Sequence, residues 1–212
     1  MKKLFLAAFA FTLVASLGAS RTYAQAAASA VPEDKTAPSY DMKAQALLDL
    51  DTQNKKIISL VEVLPQDKFN WRPAPDTRSF AEVFLHVAGE RYQILALGGA
   101  TPPDGFDPKT YEKSTTDKAK IVAELKKTGD FAQSTIGAMT NAEFAKLLPK
   151  LGPQANAGDV VYILVADCHE HMGQVVAYAR ENGIVPPWTI AAKKAAEEKT
   201  AQDKAAADKK SQ

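Results

Sequence analysis

The chain has 212 residues, 46% of them hydrophobic and 24% charged, with a formal net charge of +1. These are the values of a soluble globular protein with room for one core, and the lack of a basic excess argues against nucleic acid as a partner. Cys168 is the only cysteine, so no internal disulfide can staple the fold.

The N-terminus stands apart from the rest. Met1-Lys2-Lys3 is a positive start, Leu4 to Leu17 is a run of apolar or small residues, and Thr22-Tyr23-Ala24 places small residues at −3 and −1 of a cleavage point. Residues 1–24 therefore read as a signal peptide cleaved after Ala24, which predicts a periplasmic or secreted protein. The run is shorter than the roughly 20 apolar residues of a membrane span, and no cysteine follows it to carry a lipid, so no stable membrane anchor is expected.

Residues 25–38 are rich in Ala, Pro and Ser and read as a flexible lead-in. From Ser39 to Leu64, Leu47, Leu48, Leu50, Ile57, Ile58, Leu60 and Val61 recur at helical spacing, predicting the first long helix. Prolines make Pro65 to Arg78 a loop. Ser79-Phe80-Ala81-Glu82 has the form of a capping box and opens a second helix running to about Leu97, where Gly98-Gly99 and Pro102-Pro103 end it. Thr116 to Met139 reads as the third helix. A second capping box, Thr140 to Glu143, opens a short helix to Leu148. Asp159 is placed to cap a fourth long helix, and Gly183 sits where a left-handed C-terminal cap belongs, with Ile184 to pack back. From Ala191 onward the chain alternates Ala, Lys, Glu and Asp without large apolar residues; it can be transiently helical but has nothing to bury, so residues 190–212 are expected to be a disordered, solvated tail. Four long amphipathic helices within residues 39–189 predict an all-α four-helix bundle, with a short extra helix before the last long one.

Sorting each helix by face at 100° per residue brings out a small polar set. On the fourth long helix Val160, Val161, Leu164, Cys168, Met172, Val175, Tyr178 and Ala179 share one sector. His171 lies within it and Asp167 at its edge, four residues apart and so about 6 Å from each other at Cβ. His169 and Glu170 fall on the opposite side. On the second helix Phe80, Val83, Phe84, Val87, Ile94 and Leu97 form the apolar sector, and His86 and Glu90 lie inside it. Cys168, in the apolar sector, reads as a small hydrophobe.

Inward ionisable groups are costly unless paired or bound to a metal. Two readings fit the pattern equally. In one, His86, Asp167 and His171 hold a divalent transition ion, Zn or Ni, between facing helices with positions left open for substrate. In the other, the same three residues form a buried hydrogen-bonded network in a non-catalytic binding bundle. Glu90, one turn from His86, is placed to act either as a general base or as a salt-bridge partner.

Ser79, Glu82 and His86 on the second helix, and His171, Gly173, Gln174, Arg180, Gly183 and Pro186-Pro187 on and after the fourth, resemble the DinB-like (DinB/YfiT) family of metal-dependent helical bundles. The resemblance covers roughly Ser39 to Trp188. It implies a metal held by three histidines, which carries the ligand role to His86 and His171. At position 167, where the family's remaining histidine usually stands, this chain has Asp167. Aspartate can still ligate, giving a set of two histidines and one carboxylate. His169 is an alternative ligand only on a distorted helix. Gly173 would admit a close helix neighbour, and Gln174 would orient a ligand from behind. The resemblance further implies metal-dependent hydrolysis or thiol-dependent transfer on an unidentified small molecule, and pairing into homodimers.

Overall fold

Asp41 starts the first helix: its carboxylate accepts from the Ala44 amide, and α1 runs Met42–Val63. The structure is a computed structural model and describes residues 41–210; the expected signal peptide (1–24), its cleavage point and the lead-in (25–38) lie outside the described residues. After α1 a single 3₁₀ turn, Gln66–Lys68, leads into the proline-rich loop. The expected capping box forms: Glu82 N–H donates to Ser79 Oγ (3.3 Å), Ser79 N–H donates to Glu82 Oε2 (2.7 Å), and α2 runs Phe80–Leu97. A second 3₁₀ turn, Tyr111–Lys113, precedes α3, Lys118–Ala138.

Two boundaries differ from expectation. The short helix α4 spans only Asn141–Phe144, because its chain then turns to pair with the following segment; Leu148 N–H donates to the Ala155 carbonyl at 2.7 Å. The last bundle helix, α5, runs Ala157–Glu181 and is capped by Asn156, not Asp159. Asn156 Oδ1 accepts from Asp159 N–H, and Asp159 is the returning arm of the box, accepting from Asn156 N–H at 2.8 Å. An Asx residue followed three positions later by an acid outcompetes the acid alone. At the far end Gly183 adopts φ +73°, and Ile184 N–H reaches back to the Ala179 carbonyl at 2.8 Å, the expected left-handed cap.

The segment expected to be a disordered tail is helical. Pro187 occupies the first position of α6, Pro187–Lys210, where its missing N–H costs nothing. Trp188 is half-buried, with Lys56 Nζ 5.9 Å from its ring centre, but from Thr189 to Lys209 every residue is exposed. That stretch is held by Ala-rich helix propensity and weak ion pairs such as Lys194–Glu198 (3.8 Å), and not by a buried face.

Helices α1, α2, α3 and α5 form the bundle. Each of α1 and α2 packs against both α3 and α5, so α1 and α2, although consecutive, sit diagonally across the core. A simple up-and-down meander would make them neighbours. All eight α5 residues assigned inward from the periodicity are buried. On α2 the burial reaches further round than expected: Leu85, Ala88, Arg91, Tyr92 and Leu95 are also buried, while Leu97 is 50% exposed. Gly173 is exposed with open space where a Cβ would stand, so it admits no close helix neighbour. The close approach occurs instead at Gly129, where a Cβ would meet Asn54 of α1. Among the described residues no helix is long and apolar enough to cross a membrane.

Candidate metal centre

His86 projects from the middle of α2, Asp167 and His171 from successive turns of α5, and the packing of those two helices brings the three together. One ligand atom from each lies within 4.8 Å of the other two. The His86 and His171 rings meet edge to face with centroids 4.6 Å apart, and His171 Nε2 is 3.4 Å from Asp167 Oδ1. His171 is buried; His86 and Asp167 are half-buried.

The support behind each group is specific. Gln174 Nε2 donates to the Tyr178 hydroxyl at 2.9 Å, which leaves Gln174 Oε1 to accept from His171 Nδ1 at 2.9 Å. That fixes the tautomer in which His171 Nε2 carries the lone pair facing Asp167. Tyr178 in turn is locked by edge contacts with Trp71 and Phe80. On the other side His86 Nδ1 lies 3.4 Å from Glu112 Oε2 and 3.7 Å from Glu90 Oε1. Arg78 Nε holds Glu112 at 2.9 Å. Thus Glu90 does border the trio, whereas His169 does not: it is exposed on the opposite face, 2.7 Å from Asp49 of α1. For His169 to reach the trio the helix would have to unwind, and α5 is continuous there.

Glu112 and Arg78 were not visible in the sequence, since both sit in irregular segments where periodicity says nothing. Arg91 was missed too, although it falls in the i, i+4, i+8 row Val87–Arg91–Leu95. It is buried, donating to the Leu125 carbonyl (2.8 Å) and Thr128 Oγ1 (3.0 Å) of α3. Cys168, next to Asp167, is buried in the core as expected, and burial pushes its thiol up to about 11, which keeps it protonated and inert.

The two imidazoles are pulled in opposite directions. Burial, followed by the Arg78 and His171 charges, lowers His86 below its ordinary value of 6.5. Protonated His171 can turn Nε2–H toward Asp167 Oδ1, and this favourable contact outweighs burial and raises its pKa. Glu90 is raised by burial first and by the Asp167 charge second. In metal-free protein, His171 therefore favours the folded state below its ordinary pKa, and that contribution is lost as pH rises through the raised value. His86 acts with the reverse sign, contributing above the ordinary value and losing it as pH falls through the lowered one. Imidazole NMR of the metal-free protein is expected to give a midpoint above 6.5 for His171 and below 6.5 for His86; the reverse order would contradict the geometry.

The residues fit a divalent ion. Asp167 Oδ2 is buried and has no hydrogen-bond partner, an oxygen left in need of a cation or a donor. Two nitrogens and a carboxylate in one place are a borderline-soft donor set suited to transition metals.

A four-helix bundle with a cluster of two histidines and one carboxylate between α2 and α5 defines the site, and the comparisons bear on the bundle. The sequence profile of the DinB superfamily matches residues 49–175, more than half of the chain, and the protein belongs to that superfamily. Among solved structures, a conserved protein from Enterococcus faecalis superposes with a TM-score of 0.56 at 16% identity, over 67% of this chain and 97% of that one. YfiT from Bacillus subtilis, described as a probable metal-dependent hydrolase with an unusual four-helix bundle topology, gives 0.55 at 16% identity, over 72% of this chain and 94% of its own. At that identity the likeness speaks for the fold. Curated protein sequences give no match.

Proposed function

We propose that this protein is an exported metal-dependent hydrolase whose ion is held by His86, Asp167 and His171. The observation that carries this reading is the buried, unpartnered Asp167 Oδ2 inside a cluster of facing nitrogen donors. A bound divalent ion would supply Lewis acidity and a lowered pKa for water at neutral pH. The chain's own residues do the rest. Gln174 holds the His171 ring so that Nε2 faces Asp167, and Glu112, itself clamped by Arg78, stands 3.4 Å from His86 Nδ1 on the other side. Glu90, beside His86 and raised by its surroundings, is suited to accept a proton and pass it on. Thiol-dependent transfer would use the same ligands and differ only in the co-substrate.

Equilibrium dialysis with zinc or nickel, followed by metal analysis, tests the proposal on wild type and His171→Ala. Wild type is expected to retain about one ion per chain and the variant to lose it. In differential scanning calorimetry a chelator should lower the melting temperature of the loaded protein, because free ion at 100 times Kd adds about 2.7 kcal/mol to the native state. Equal metal in both proteins, with a melting point indifferent to chelator, would leave only the buried polar network.

A further inference from the structure

Beside the metal trio a cleft of about 780 Å³ opens between the outer face of α2 and the loop that follows it. Its volume falls within the range of small-molecule sites. Glu90 forms part of the wall, and its Oε1 also lies 3.7 Å from His86 Nδ1, so one side chain borders both the cleft and the trio. Ile94, Leu97, Pro103 and Phe106 make the lining largely apolar. Phe106 is a fixed surface, held by ring contacts to Tyr92 (5.0 Å) and Tyr111 (5.1 Å). Gly105, at φ +79°, lies between Asp104 and Phe106, and all three line the cleft. Both charged residues in the lining are acidic, Glu90 and Asp104, and it contains no lysine, arginine or histidine. Asp104 is exposed and has no ion-pair partner among the described residues.

We infer that this cleft binds the substrate, and that the substrate is an apolar or aromatic compound carrying an ammonium group. This rests on the trio being the hydrolytic centre, and it adds the ligand class. An unpaired carboxylate at the rim attracts a cation and rejects an anion, an aromatic face favours an ammonium over a carboxylate, and the apolar walls take the body of the molecule.

The test is an NMR titration of the full, metal-free chain with 2-phenylethylammonium, and with 3-phenylpropionate as an anion of similar shape. The ammonium compound is expected to shift the amides of Leu97, Gly105 and Phe106 and to bind at least about tenfold more tightly than the anion, a difference of about 1.4 kcal/mol. Asp104→Lys, on an exposed turn, should reverse that order. Equal affinity for the two probes, shifts confined to other parts of the bundle, or an unchanged order in the variant would overturn the assignment. Because the titration needs no metal, its failure is separable from failure of the metal reading, which dialysis decides alone.

Discussion

Asp167→Ala is expected to lower divalent-metal affinity by at least about 100-fold, whereas Asp167→His should stay within about tenfold of wild type, judged against the 10–100-fold that loss of a mere outer-shell partner costs. Isothermal titration with zinc on protein stripped of metal measures both. The reasoning starts from the two oxygens of one side chain. Oδ1 lies 3.4 Å from His171 Nε2, and Oδ2 is buried without a partner. A carboxylate so placed is poorly served by the protein alone, because a buried acceptor left unmade costs more than the average hydrogen bond gives. A cation repairs that deficit, and truncation to alanine removes both the donor and the charge. Histidine restores a donor without the charge, so its behaviour separates ligation from simple electrostatic attraction. If alanine at 167 binds metal as tightly as aspartate, the residue is a neighbour of the site and not part of it.

Phe80→Ala is expected to destabilise the fold by about 3–5 kcal/mol, the usual range for deleting a buried phenyl ring. Urea unfolding of metal-free protein, with the slope compared between variants, gives the value. Phe80 is fully buried at the first turn of α2 and touches Phe84 (6.0 Å), Trp71 (5.7 Å) and Tyr178 (5.5 Å) between ring centroids. It is therefore the piece that ties α2, the loop before it and α5 together. Its removal should also weaken metal binding, because Tyr178 accepts from Gln174, which positions His171. A variant that loses stability but keeps full metal affinity would show that this chain of contacts does not reach the site.

Local chemistry made much of this molecule readable in advance. The two capping boxes at Ser79 and Thr140, the left-handed cap at Gly183 and the inward sector of α5 are set by residues within one or two turns of each other. The choice of His171 over His169 follows from the same 100° arithmetic, and the structure puts His169 on Asp49 instead. Where two local signals competed, as at Asn156 and Asp159, the sequence reading took the wrong one. The tail was misjudged for a related reason. Lacking large apolar residues, the stretch from Ala191 onward could promise no burial, but Ala, Lys and Glu form helix without it, and α6 continues to Lys210.

Glu112, Arg78 and the burial of Arg91 belong to another category. Glu112 reaches His86 because a 3₁₀ turn in the connection before α3 folds over α2, and no periodicity marks such a turn. Arg91 is buried because α2 has neighbours on more sides than one apolar stripe announces.

The sequence by itself determined the four bundle helices, where most of them begin and end, and which side chains of α5 turn inward, since these depend on residues three or four apart. Only the tertiary structure decided that α1 and α2 stand diagonally, so that α2 meets α5 and His86 meets Asp167 and His171. Helix order in a bundle is set by long connections and by the summed fit of distant faces, and several orders bury the same stripes equally well.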